Sequence, residues 1–366
     1  MEDQRPAAPR PPEHTPTAPA LMPASGDDGA IAGTIGDQPE DFQVDEQALY
    51  EASGGGEHLW LHVRKRLLNT EDVAKRIAQC AGVAKRDIGY AGMKDRFAVT
   101  SQFFSVASKS DPATWDLGEG VELIGHTRHN NKLRTGHLAS NRFQIRLVNI
   151  DAPETLQARA QRLREEGVLN GYDAQRFGRG GRNLDKAIAW AEGRIRRAQH
   201  WETKLWTSVL QAEAFNRVLA TRATQGLLHV LDGDVLRLAG SRSVFTSDDP
   251  ALDQTRLTAG DVRLTGPIFG PKAPSAQRAA LAVEQAAIDA LQLSPEALQL
   301  VAKNGAGARR DLITHVPDLA LVDEGEGVWT CSFTLPSGAY ATNVVRHLLR
   351  TPWSVDGDVR GAASDA

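Results

Sequence analysis

The sequence predicts a soluble globular chain that mixes helix and strand and is large enough for two domains. Three observations carry this. The chain has 366 residues, room for two cores of ordinary size. Hydrophobic residues make up 41% and charged residues 24%, the balance of a packed interior under a solvated surface. Segments with an apolar residue at every second position alternate with segments whose apolar residues recur at helical spacing. No apolar run approaches the roughly 18 residues that a membrane helix needs. The N-terminus lacks the basic start and apolar stretch of a secretory signal.

Cysteine use and charge narrow the class further. Cys80 and Cys331 are the only two cysteines, too few for a disulfide framework or a four-cysteine zinc site, and they fit a reducing, cytoplasmic setting. The net charge of −4 weighs against nucleic acid until its distribution is read. Residues 1–60 hold 12 Asp/Glu and 2 Lys/Arg, whereas the rest of the chain holds 34 and 40. Phosphate binding depends on a local patch, so nucleic acid is permitted.

The elements follow in chain order. Residues 1–29, rich in Pro, Ala and acidic groups without periodicity, read as a disordered tail. Alternation over Pro39–Glu46 and over Leu59–Arg64 reads as two strands. Asn69 or Thr70 can cap a helix through Val73, Ile77 and Cys80 that ends at Gly82. Ile88–Ala91 and Phe97–Val106 are strand-like and flank a tight polar loop opened by Gly92. At its tip Asp95 lies between Lys94 and Arg96, which favour an ionised carboxylate. Such a group on a short loop can act as nucleophile or general base; the same residues also make an ordinary charged turn.

Thr127–Arg134 carries Arg128, Lys132 and Arg134 and no acid, which suits either phosphate contact or a solvated loop. Asn141–Leu147 alternates again, with Phe143, Ile145 and Leu147 on one face. Residues 153–166 read as a charged amphipathic helix. The glycines of 167–183 lack the Gly-x4-Gly-Lys-Ser/Thr pattern of a nucleotide loop. From Ala174 to Lys204 there are 8 Lys/Arg against 3 Asp/Glu, with Arg176, Arg179 and Arg182 clustered beside flexible backbone. Helical spacing covers 201–225 and 277–300, the second broken at Ser294-Pro295, with short strands between. Val328–Leu335 reads as a strand that leads into a helix starting near Ser337, and residues 353–366 as a frayed tail.

Several ordered motifs resemble those of the tRNA pseudouridine synthase D (TruD) family. Ala91-Gly92-Met93-Lys94-Asp95-Arg96-x-Ala98-Val99-Thr100 is similar to the family signature, in which the Asp of Gly-x-Lys-Asp is catalytic. Pro39-Glu40-Asp41-Phe42-x-Val44-x-Glu46, His129-x-x-Lys132-Leu133-Arg134 and Asn141-x-Phe143 match further motifs, as do Gln175-Arg176-Phe177-Gly178 and Leu335-Pro336-x-Gly338-x-Tyr340-Ala341-Thr342. The resemblance spans about residues 31–350. Two departures stand out. Gly36 occupies a position where members often carry a lysine, and Gly171-Tyr172-Asp173 stands where most have Tyr-Phe-Gly.

What the resemblance implies is specific. The fold would be α+β, a catalytic domain around a mixed, largely antiparallel sheet (30–166 and 315–352), interrupted by an inserted α/β domain (167–314). The chain would isomerise uridine 13 of tRNA, with Asp95 catalytic and Phe42, Asn141, Phe143 and Tyr340 at the substrate. An amide such as Asn141 can pair with the edge of an extruded uracil, and a ring such as Phe143 can stack on a base or fill its place. Arg128, Lys132, Arg134, Arg176, Arg179 and Arg182 would meet RNA phosphates. The partner would be tRNA and the protein a monomer, with no cofactor, metal, nucleotide or membrane involved. Two other readings stay open: a catalytically silent RNA-binding protein of this fold, and a glycosidase, which wants a second carboxylate that no local motif supplies.

Overall fold

In the computed structural model, residues 14–23, 29–351, 353 and 354 are described. The chain divides into two compact units, Ala30–Gly167 with His315–Ala341, and Val168–Thr314 with segments from both chain ends. Among the described residues no helix is long and apolar enough to cross a membrane.

The first unit is built on a nine-stranded sheet. Its strands are β1 (Thr34–Ile35), β2 (Phe42–Ala48), β3 (His58–Arg66), β4 (Gly89–Tyr90), β5 (Val99–Ala107), β6 (Val121–His129), β7 (Leu138–Val148), β8 (Ala320–Gly325) and β9 (Val328–Pro336). The main path runs β8-β9-β7-β2-β5-β3-β6, with β1 on β7 and β4 on β5. Only the β2–β5 pair is parallel; every other pairing in this sheet is antiparallel. Register places Val44 opposite both Phe143 and Thr100, and Thr100 opposite Lys65. One sheet face therefore collects Phe42, Val44 and Glu46 of β2, Asn141 and Phe143 of β7, Thr100 and Gln102 of β5, and Lys65 of β3.

Helix α1 (Thr70–Ala81) covers part of that face. Its Val73 and Ile77 pack on Leu59, Leu61 and Val63 of β3 and Phe104 and Val106 of β5. Gly82 stops it at φ +67°, a left-handed cap that a residue without Cβ adopts freely. A second helix, α2 (Pro153–Glu166), buries Leu156, Ala160 and Leu163.

The other unit carries a four-stranded antiparallel sheet, ordered Val244–Thr246, Val235–Leu238, Val262–Ile268, Ala308–Asp311. The 25-residue helix His200–Thr224 presents Phe215 and Leu219 to a core that includes Leu236, Leu264 and Leu312. Around its first turns Trp206 meets Trp190 of the helix Arg182–Ala191, ring centroids 6.1 Å apart. Ser294 caps the helix Pro295–Asn304 by accepting from Ala297 N at 3.2 Å, the restart expected from Ser294-Pro295. Two buried ion pairs lie here, Arg222 with Asp234 and Arg309 with Glu284, each at 2.7 Å.

Four sequence expectations need correction. Residues 14–23 of the supposed tail are packed against this second unit. Thr17 donates twice to the buried Glu213 carboxylate, at 2.9 and 2.6 Å, and Met22 joins the core. An extended segment can bury a side chain without any period in its sequence, which is why composition misled; residues 1–13 and 24–28 lie outside the described residues. The helix expected from Ser337 begins at Ala341, because Ser337 and Gly338 form a turn with Gly338 at φ +87°. That helix, Ala341–Leu349, belongs from Thr342 on with the second unit rather than with the sheet unit. Asn343 Nδ2 donates to Gly171 O at 2.7 Å and Leu169 N donates to His347 Nε2 at 3.1 Å. Trp353, expected to fray, donates to Asp173 Oδ1 at 2.8 Å, and 352 and 355–366 lie outside the described residues.

Candidate active site

The Asp95 loop lies on the sheet face just described. It spans 91–98 between β4 and β5, longer than the tight hairpin expected from sequence, because β5 starts at Val99 and not at Phe97. The loop is pinned rather than free. Gln102 donates to Gly92 O at 3.2 Å, Gly136 N to Ala91 O at 2.8 Å, and Lys94 N to Thr70 Oγ1 at 2.9 Å. Thr70 in turn donates to Gln102 Oε1 at 2.9 Å, so a residue that looked like a helix cap serves as a loop anchor. Asp95 Oδ1 accepts from Phe97 N at 2.9 Å, an Asx-type turn that orients the carboxylate. Gly92 does not force the turn: a Cβ there would meet nothing nearer than Leu138 at 3.4 Å.

Charge is distributed differently from the linear order. Lys94, next to Asp95 in sequence, turns away from it. Its ammonium lies 2.6 Å from Glu46 Oε2, with side-chain exposures of 6% and 1%, and donates to Asn141 Oδ1 at 2.7 Å. An ammonium has only donors, so Asn141 presents its carbonyl oxygen to Lys94 and its NH2 is the end left for a ligand. Glu46 Oε1 accepts from Phe103 N at 3.1 Å, which fixes the other oxygen.

A buried cation reaches the Asp95 main chain from β3. Lys65 is 1% exposed and donates from Nζ to the Asp95 main-chain oxygen at 2.6 Å. Burial pushes its ammonium down to about 8; the Asp95 carboxylate opposes this and Lys94 adds to it. Sequence reasoning missed this residue. The signal was present: Lys65 continues the every-second-residue set Leu59, Leu61, Val63.

Beside the polar cluster runs a row of rings. Phe42 meets Phe143 edge-on, with centroids 6.1 Å apart and planes at 75°, and Phe143 stacks on Phe333 at 5.5 Å and 24°. Phe143 is 8% exposed, held between the other two rings. Tyr340 is half-buried and follows the turn that leaves β9, whose Leu335 pairs with Asn141.

A lysine at Gly36, common in the family, would require the Asp41 side chain to move. A Cβ there would stand 2.1 Å from Asp41 Oδ2, so the Asp41 side chain fills the space that a side chain at 36 would enter. The basic positions are not all alike. Arg134, Arg179 and Arg182 are exposed, whereas Arg128, Lys132 and Arg176 are half-buried. Arg128 and Lys132 donate to main-chain oxygens, Lys132 to Arg86 O at 2.7 Å, and Arg176 lies over the Tyr172 ring at 5.5 Å. A cleft of about 450 Å³ lined by Glu40, Gln43, Arg64, Lys65, Arg66 and Val99 reaches Lys65 but not Asp95.

The chain matches the family described as tRNA pseudouridine synthase D (TruD) over residues 25–190 and 191–348. It is 39% identical to the tRNA pseudouridine synthase D of Methylococcus capsulatus over 334 residues, covering 90% of this chain and 94% of that protein. With the same enzyme of an Anaeromyxobacter species it shares 39% over 348 residues, covering 92% and 96%. Among solved structures, a putative tRNA pseudouridine synthase D from Methanosarcina mazei superposes with a TM-score of 0.71, covering 89% of this chain and 95% of that one. At 19% identity that likeness speaks for the fold, and its α+β architecture agrees with the mixed, largely antiparallel sheet found here. By sequence and by fold, this chain belongs to the tRNA pseudouridine synthase D family.

Proposed function

We propose that the chain isomerises a uridine of tRNA to pseudouridine, at position 13 by analogy with the family, with Asp95 as the catalytic carboxylate. The observation that carries the assignment is the placement of Asp95. It sits on a loop pinned to the sheet face, beside a buried ammonium and one residue from the Lys94–Asn141 contact.

The reaction breaks the N1–C1′ bond, turns the uracil, and joins C5 to C1′. The proton displaced from C5 is lost and N1 gains one, so the atoms balance without redox change or an imported group. The target base must leave its stack, at a cost of a few kcal/mol. Asp95 then attacks C1′ or removes a sugar proton. The Asn141 NH2 is placed to donate to a uracil oxygen, and Phe42 and Phe143 floor the base site. Tyr340 borders it. Arg134, Arg179 and Arg182 offer phosphate contacts, with Arg128, Lys132 and Arg176 held more tightly by the protein.

The deciding experiment incubates the purified protein with an unmodified tRNA transcript and maps pseudouridine, beside the Asp95→Asn variant. Asn keeps the volume and removes the anion, so product should fall to background while tRNA binding and the unfolding transition stay as in wild type. Wild-type turnover by Asp95→Asn would make Asp95 a turn residue. Binding without product by the wild type would favour the silent RNA-binding reading.

A further inference from the structure

The Asp95 loop has an inverted polarity. Its Lys94 side chain is buried to 6% exposure, whereas its two large apolar residues face outward, Met93 at 61% and Phe97 at 50%. A surface loop in isolation would do the reverse, because exposed apolar area costs free energy and a buried ammonium costs more. Single exposed apolar residues are ordinary; here two bracket the carboxylate within five residues, and both present apolar area at the tip. Arg96 between them is exposed, and its guanidinium lies 5.5 Å from the Phe97 ring. A ring, a thioether and a guanidinium at one tip suit the faces of nucleobases and the phosphates between them.

We propose that Phe97 and Met93 fill the place vacated by the reacting uridine and hold its neighbours apart. The inference rests on the pseudouridine synthase reading above. Phe143, buried between Phe42 and Phe333, is not available for that task. Phe97 is 50% exposed, and its main-chain N–H is bonded to Asp95 Oδ1 at 2.9 Å, which ties the residue to the carboxylate. Two residues of chain span at most about 7 Å. A ring lodged in the vacated stack therefore brings Asp95 to the sugar of the extruded nucleotide, which remains in the backbone at that step. Apolar wedges of this kind offset the loss of base stacking in other nucleic-acid complexes.

The test uses a tRNA-type transcript with 2-aminopurine next to the target uridine, and a second transcript whose target is single-stranded and unstacked. Wild-type protein should raise the fluorescence of the first on binding. Phe97→Ala should lose that rise and slow single-turnover pseudouridine formation about ten- to a hundredfold on the structured transcript, against less than about threefold on the unstacked one. Met93→Ala should show a smaller loss of the same kind, and Phe97→Trp should restore both signals. Thermal unfolding should not move, since both residues are exposed. Equal losses on the two transcripts, or a wild-type fluorescence rise in the Phe97→Ala, Met93→Ala double variant, would overturn the wedge. If wild-type protein makes no pseudouridine, the catalytic reading fails, and the fluorescence comparison still decides the wedge by itself.

Discussion

One face of the sheet has two ends that are equally dry and differently made. Under α1, Leu59, Leu61 and Val63 of β3 and Phe104 and Val106 of β5 are 0–2% exposed and belong to one apolar core. Two to four residues away along the same strands, Lys65, Thr100 and Gln102 are 0–1% exposed, and with Glu46 they lie under the Asp95 loop. Burial alone thus does not mark the site. The first end stabilises the fold by removing apolar area from water, about 25 cal/mol per Å². The second spends part of that gain on buried charge, whose desolvation offsets its attraction and leaves little net stability. What it gains is a loop fixed at several points in one geometry.

The largest expected effect at the polar end comes from removing one partner of its ion pair. Lys94→Met strands the Glu46 carboxylate at 1% exposure and should destabilise the protein by about 3–5 kcal/mol in denaturant titration. It also frees Asn141, so product formation should collapse even under conditions where the variant is folded. The double variant Lys94→Met, Glu46→Leu should regain most of the stability and none of the activity. Recovery of activity in the double variant would show the pair to be packing. At the apolar end, Leu61→Ala, 0% exposed, should cost about 2–5 kcal/mol and leave turnover per folded molecule unchanged. A turnover loss beyond the unfolded fraction would erase the distinction between the two ends.

The same contrast explains what could be read in the sequence. Period-two strands, the helix through Val73 and Ile77, its stop at Gly82 and the restart at Ser294-Pro295 were legible, because each follows from local spacing or backbone preference. The Asp95 loop was legible through its motif, but its partners were not. Linear order put Lys94 beside Asp95, whereas the fold aims Lys94 at Glu46, 48 positions earlier, and brings Lys65 from 30 positions away. Thr70 read as a cap because nothing local shows that Lys94 N needs an acceptor. Residues 14–23 read as tail because a hydrogen bond to Glu213, 196 positions on, leaves no trace in composition. Long-range pairing of polar groups is what the sequence withheld, and the candidate site is made of it.

Lys65 gives the finest test of the two-ended face, because stability and activity should move in opposite directions. Its ammonium is lowered to about 8 in the fold, against 10.5 for an unburied lysine. Between those values the unfolded chain holds a proton that the folded chain has released, so stability rises with pH across this window and the cost of the buried charge is present in full below pH 8. The lowering corresponds to about 3 kcal/mol at 1.36 kcal/mol per unit. Lys65→Met removes that cost and also the bond to the Asp95 oxygen, worth about 1 kcal/mol. The variant should therefore unfold later than wild type at pH 7, by roughly 2 kcal/mol, and the gap should close as pH rises from 8 to 10.5. Turnover should fall nonetheless, since the loop loses its tether and Asp95 a buried cation beside it. Wild-type activity should decline above about pH 8 as Lys65 loses its proton, and the residual activity of Lys65→Met should lack that limb. Denaturant titrations and single-turnover rates over the same pH series read both quantities. A variant that is less stable at pH 7, or fully active, would place Lys65 with Leu59, Leu61 and Val63 as part of the scaffold.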